Sequence, residues 1–204
     1  MKQTRILALL VAALIAPAVA EPLTFDFKDP KGVNNITFKL DAPLESISGS
    51  ANGFSGTVTT DPETLADFSG KLVVAVDSLQ VPNPIMNGHV HGEMWLDAKK
   101  FPEITFEVKK VANVKKEGTS AAGEVTGILT LHGVSKEITA PAKVTYLPGR
   151  LKDRVPNAEG DLLVIRSEFT INRDDFDIQK GKNEDKVSNE IKIALAVAGA
   201  APKK

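Results

Sequence analysis

Apolar residues recur at every second position through most of this 204-residue chain, and that period limits what it can fold into more than any other feature. Ile36, Phe38 and Leu40 alternate with Thr37 and Lys39. Leu72, Val74 and Val76 repeat the pattern, as do Ile104, Phe106 and Val108. Val125, Leu129 and Leu131 follow, then Ile138, Ala140, Ala142, Val144 and Tyr146, then Phe169 with Ile171, and finally Ile191, Ile193, Leu195 and Val197. A period of two places such side chains on one face of a strand. Asp29-Pro30-Lys31-Gly32, Asp61-Pro62, Val81-Pro82-Asn83-Pro84, His132-Gly133 and Leu147-Pro148-Gly149 punctuate the runs as turns. About eight strands at this spacing predict an all-β, antiparallel sandwich or barrel. Pro141 lacks an N–H to give to a ladder, so its strand is expected to bulge or to form an edge there.

Two stretches break the rhythm. Residues 87–100 contain good helix formers and predict a short helix between strands. Residues 174–189 are charged and polar with almost no apolar anchors, which reads as a long surface loop. No internal repeat or composition shift divides the chain, so residues 21–204 are expected to form a single domain.

The first 20 residues read as an address. Lys2 and Arg5 precede the apolar run Ile6 to Ile15, and Ala18 and Ala20 occupy the −3 and −1 positions before Glu21. This is the pattern of a cleavable signal peptide. Its apolar run covers about half of a ~30 Å hydrocarbon core, so it predicts export rather than a retained transmembrane segment. The expected location is the periplasm, with release to the medium as the other outcome. The chain has no cysteine, so no disulfide framework supports the fold and no thiol offers a lipidation site.

Hydrophobic residues form 42% of the chain, enough for one core. Without Lys2 and Arg5 the balance is 23 basic against 26 acidic residues, which excludes the basic footprint of a nucleic-acid binder. No nucleophile elbow, phosphate-binding loop, H-E-x-x-H or dinucleotide glycine pattern occurs. His89 and His91 share a face only on a strand; on a helix they lie ~200° apart and cannot hold one ion together. His132 precedes Gly133 in a predicted tight turn and reads as oriented by its hairpin. The run Asp174-Asp175-Phe176-Asp177 fails the calcium-loop pattern, since Lys180 stands where the glycine belongs. Neither a metal site nor a catalytic set is expected.

Four blocks together resemble the YceI-like family of lipid- or polyisoprenoid-binding proteins. They are Ile36-Thr37-Phe38 through Ile47-Ser48-Gly49 to Gly53-Phe54-Ser55-Gly56-Thr57-Val58; His89 through Trp95-Leu96-Asp97-Ala98 to Phe101-Pro102-Glu103-Ile104-Thr105-Phe106; Val125 through Leu131-His132-Gly133-Val134-Ser135-Lys136; and Ile171-Asn172-Arg173-Asp174-Asp175-Phe176-Asp177-Ile178. They span nearly all of residues 23–198. Two positions depart from the family: Met86 and Asn87 stand where an Arg-Asp pair is usual, and Asp177 where glycine is usual, which predicts a different turn before the last strand. The resemblance implies a lipocalin-like antiparallel barrel of about eight strands around an elongated apolar cavity.

On this reading the protein is a periplasmic, non-catalytic carrier of an amphiphile with a long apolar tail: a polyisoprenoid, an isoprenoid quinone or a fatty-acyl lipid, held non-covalently. No other cofactor is expected. Cavity candidates are Phe38, Phe54, Phe68, Val74, Trp95, Phe106, Leu129, Leu131, Val144 and Ile193, with His89, His91 and Arg173 as polar groups at the mouth. Ala75, Gly127, Ala140, Ala142, Ala194 and Ala196 are small residues expected to leave room inside. Two alternatives stay open: a metal-dependent enzyme using His89 and His91, and a packed barrel serving as a protein-interaction accessory of a membrane redox system. The residues do not fix the oligomeric state, and a homodimer stays open too.

Overall fold

The computed structural model describes residues 21–29 and 31–203, so the expected signal peptide lies outside the described residues. The strands are β1 (Leu23–Asp26), β2 (Asn35–Asp41), β3 (Ser46–Ala51), β4 (Phe54–Thr60), β5 (Phe68–Ala75), β6 (Leu79–Gln80), β7 (Glu103–Glu117), β8 (Ser120–Leu131), β9 (Val134–Leu147), β10 (Gly160–Asn172) and β11 (Glu190–Pro202). Helix α1 (Pro84–His91) precedes β7, and the single turn α2 (Leu151–Arg154) precedes β10. All pairings are antiparallel.

The sheet closes on itself as an eight-stranded barrel, because β11 pairs with β10 on one side and with both β2 and β1 on the other. Three of its staves are broken. β1 and β2 run as one interrupted strand, paired respectively with β4 and β3; β5 and β6 continue the same break on the far side of β4 and β3. Asn34, 1% exposed, holds the first break by imitating backbone. Its Nδ2 donates to the carbonyls of Phe27 (3.0 Å) and Ala198 (3.1 Å), and its Oδ1 accepts from the Ala198 N–H at 2.8 Å. The Asp29 carboxylate accepts N–H groups of Asn34, Val33 and Lys31 and, at 2.8 Å, the Arg154 guanidinium.

The strand faces follow the predicted alternation, with two insertions. The β7–β8 register slips between Val108 and Lys110 and again between Ala112 and Lys115. Each bulge adds a residue and restores the inward face, so Val108, Val111 and Val114 all point into the barrel despite their irregular spacing.

Pro141 gives the outcome expected of an edge, not a bulge. Its pairing with Glu124 of β8 is in regular register. On its other side, β9 pairs with β10 only from Lys143 to Leu147, opposite Leu162 to Arg166. Beyond that point the wall is split, and Ser167 Oγ donates to the Pro141 carbonyl at 2.6 Å where the next ladder bond would fall.

The helix predicted for residues 87–100 begins earlier and ends sooner. Asn83 caps it by accepting the N–H groups of Ile85 and Met86, Pro84 fits the first turn, and Gly92 ends it. The 174–189 segment is anchored far more firmly than its composition suggests. Phe176 is 1% and Ile178 3% exposed, packed with Leu129, Leu131 and Ile171. Asp177 adopts φ 55°, in the left-handed region that favours glycine. Aspartate tolerates that region because its short polar side chain bonds locally.

Candidate ligand-binding site

The barrel interior holds an apolar cavity of about 700 Å³. Eight strands leave an interior that is either filled by side chains or able to hold one ligand, and residue size decides which. Here β8 and β9 face inward with Ala121, Gly123, Ala140 and Ala142, where larger residues would fill the space.

One end is sealed. Leu65 lines its floor with no exposure, and Phe25, Phe27 and Leu163 are likewise fully buried behind it. Tyr146 packs edge-on against Phe25, and its hydroxyl donates to Asp161 at 2.8 Å. Burial, reinforced by that carboxylate, pushes the Tyr146 phenol up to about 12.

The other end is bounded by the 42–45 turn, α1 with residues 92–97, and the 173–189 segment. Among the described residues, the ionisable groups on the lining, Glu45, His89, Arg173 and Lys186, and one amide, Asn183, belong to this end; Thr105 and Ser167 are the other polar lining residues. The rim segments are tied together by hydrogen bonds to main-chain carbonyls. Leu44 N–H donates to the Asp185 carbonyl at 2.9 Å, and Gln179 Nε2 donates to the Met94 carbonyl at 2.8 Å. The His132-Gly133 turn, both residues at positive φ, buttresses the same end. His132 Nδ1 lies 3.2 Å from the Phe176 carbonyl, and the Phe101 ring occupies the space where a Gly133 side chain would begin.

Phe38, Phe54, Phe68, Val74, Trp95, Phe106, Leu129, Leu131, Val144 and Ile193 all line this cavity, as does His89. His91 does not, and its Nε2 is buried without a partner. Both histidines sit on α1, two residues apart, so their side chains diverge and the metal-enzyme alternative loses its shared ion. No cluster of metal-ligating side chains occurs among the described residues.

Arg173 lines the mouth end, but it is 1% exposed and spends its guanidinium on the loop. It donates to the carbonyls of Ile178 (2.8 Å), Gln179, Lys182, Val187 and Ser188, and contacts the Asp174 carboxylate. A buried arginine is tolerable only with its donors satisfied, and here it organises the loop that forms the rim.

The small residues divide by parity. Ala140 and Ala142 line the cavity, and Gly127 makes room for the Phe106 ring. Ala194 and Ala196 alternate with the inward Ile193 and Leu195, and Ala75 follows the inward Val74, so those three face the other side. Phe169, Ile191 and Leu195 also line the cavity and were readable from the same alternation. Asn183 and Lys186 lie in a stretch without any period, which left no signal for them.

An eight-stranded antiparallel barrel, sealed at one end and lined with apolar side chains, defines a lipocalin-like binding fold. The chain belongs to the YceI-like domain family, whose model matches residues 29–198. It is 34% identical over 145 residues to a UPF0312 protein of Vibrio parahaemolyticus, covering 70% of this chain and 74% of that one. Against a UPF0312 protein of Vibrio campbellii it is 37% identical over 117 residues, covering 56% of this chain and only 60% of the relative. Among solved structures, the Campylobacter jejuni YceI protein superposes with a TM-score of 0.63 at 26% identity, over 76% of this chain and 84% of that one. A polyisoprenoid-binding domain from Saccharophagus degradans gives a TM-score of 0.64 at 14% identity over 89% and 100%, a likeness of fold alone.

Proposed function

We propose that this protein is a non-catalytic periplasmic carrier of a single-tailed amphiphile of the polyisoprenoid, isoprenoid quinone or fatty-acyl kind. The tail occupies the cavity and the polar end stays at the mouth beside His89, Asn183 and Lys186. One observation carries this reading: an apolar cavity of about 700 Å³ whose ionisable lining residues all belong to one end. That volume is within the range of small-molecule sites, and the polarity gradient matches a molecule that is greasy at one end only. Each methylene moved from water into such a cavity contributes about 0.8 kcal/mol, so a long tail supplies the binding energy and the head supplies orientation. The likeness of fold to the polyisoprenoid-binding domain of Saccharophagus degradans agrees with this ligand class. Export follows from the amino-terminal pattern.

Trp95, the only tryptophan, lines the cavity and reports on its contents. Titration with farnesol or a short-chain ubiquinone is expected to change its emission saturably, with one ligand per barrel. A linear, unsaturable response to both probes, matched by free tryptophan, overturns the reading.

A further inference from the structure

We propose that the rim of the mouth docks onto a lipid bilayer, so that the tail moves between membrane and cavity without crossing water. This rests on the carrier reading above. Among the described residues, the three large apolar side chains with the greatest exposure are Leu44 (68%), Met94 (71%) and Ile85 (72%). None lines the cavity, yet each adjoins a residue that does: Glu45, Trp95 and Met86. They come from three separate segments, two of which are bonded to the 177–187 stretch that completes the rim.

Helix α1 adds a second observation. Its eight residues, Pro84–His91, include no Asp, Glu, Lys or Arg, and none of them is buried. A surface helix normally buries an apolar stripe and turns charge to the solvent. This one leaves Ile85 in solvent and carries no charge to balance it.

The arrangement fits a bilayer better than a folded partner. A protein interface has a continuous apolar centre, whereas here the exposed apolar side chains come from three separate segments, each next to a residue of the cavity lining. A bilayer needs no shape match and offers the cavity's cargo at the same point. Lys180, Lys182 and Lys186 on the flanking loop are offset by Asp177, Glu184 and Asp185, so the contact is apolar rather than driven by anionic headgroups.

Flotation of the purified protein with vesicles of phosphatidylcholine, and of phosphatidylcholine with phosphatidylglycerol, tests this directly. Both compositions are expected to carry the protein. The paired substitutions Leu44→Asp and Ile85→Asp are expected to lower the bound fraction roughly tenfold. Transfer of a fluorescent prenyl lipid to acceptor vesicles is expected to speed up with acceptor concentration, and the double variant is expected to lose that dependence while keeping its affinity for farnesol. Failure to float with either composition, flotation of the variant equal to the parent, or a transfer rate independent of acceptor concentration overturns the proposal. Flotation without any uptake of farnesol or prenyl lipid supports docking and overturns the carrier reading instead.

Discussion

Ser167 Oγ donates to the carbonyl oxygen of Pro141 at 2.6 Å, at the point where β9 and β10 part. Pro141 has no N–H to extend the ladder, so this one side-chain bond marks the boundary between a closed wall and a split one. Ser167→Ala is expected to cost about 1 kcal/mol, the ordinary worth of such a bond. Amide exchange should quicken first in residues 134–140 and 168–172 and much less in the paired 143–147 stretch. Uniform acceleration across β9 would contradict this view.

Arg173 binds the rim loop from within. Arg173→Ala leaves several carbonyls without a donor and is expected to destabilise the fold by about 3 kcal/mol. Arg173→Lys keeps the charge but loses the fork, and should recover only part of that. Chemical denaturation compares the three proteins, and proteolysis of the variants is expected to begin within residues 177–187.

The alternation makes the strand faces legible, because a period of two survives in nearly every long strand, and Phe38, Val74, Phe106, Leu129, Leu131, Val144 and Ile193 all follow it into the cavity. What hid the rest was physical. Bulges in β7 shifted the face between Val108 and Val114, so the spacing looked irregular. Arg173 and Asp174 resemble solvated surface in composition, but a guanidinium with carbonyl partners can be buried, and only the fold brings those carbonyls together. The two apolar anchors Phe176 and Ile178 were diluted by their charged neighbours.

Ala140 faces the cavity where the wall is thin in side-chain volume. Ala140→Phe is expected to fill space rather than create strain, changing stability by less than about 1.5 kcal/mol while weakening binding of long tails more than short ones. Isothermal titration with farnesol and with a longer prenyl alcohol measures the difference. Equal loss for both would argue that the tail does not reach this part of the barrel.

Asp29 and Tyr146 are each expected to contribute to the pH dependence of stability, in opposite directions. Burial opposes ionisation of Asp29, but the N–H groups of Asn34, Lys31 and Val33 and the Arg154 guanidinium hold its pKa below the usual carboxylate value. Its contribution is therefore present above the unfolded-state pKa and disappears as pH falls through the folded-state pKa. Asp29→Asn should be less stable at neutral pH and lose less on acidification. Tyr146, pushed up to about 12, acts in the opposite direction: its contribution holds below pH 10 and is lost as pH rises toward that value. Tyr146→Phe should flatten the alkaline limb of a melting-temperature profile.

The most direct measurement is native mass spectrometry of the protein purified from its own cells, with organic extraction of a parallel sample. The account predicts a mass above that of the polypeptide, extracted as one prenyl or acyl lipid per barrel and lost after delipidation. A bare polypeptide mass that takes up neither added isoprenoid nor fatty acid would contradict it.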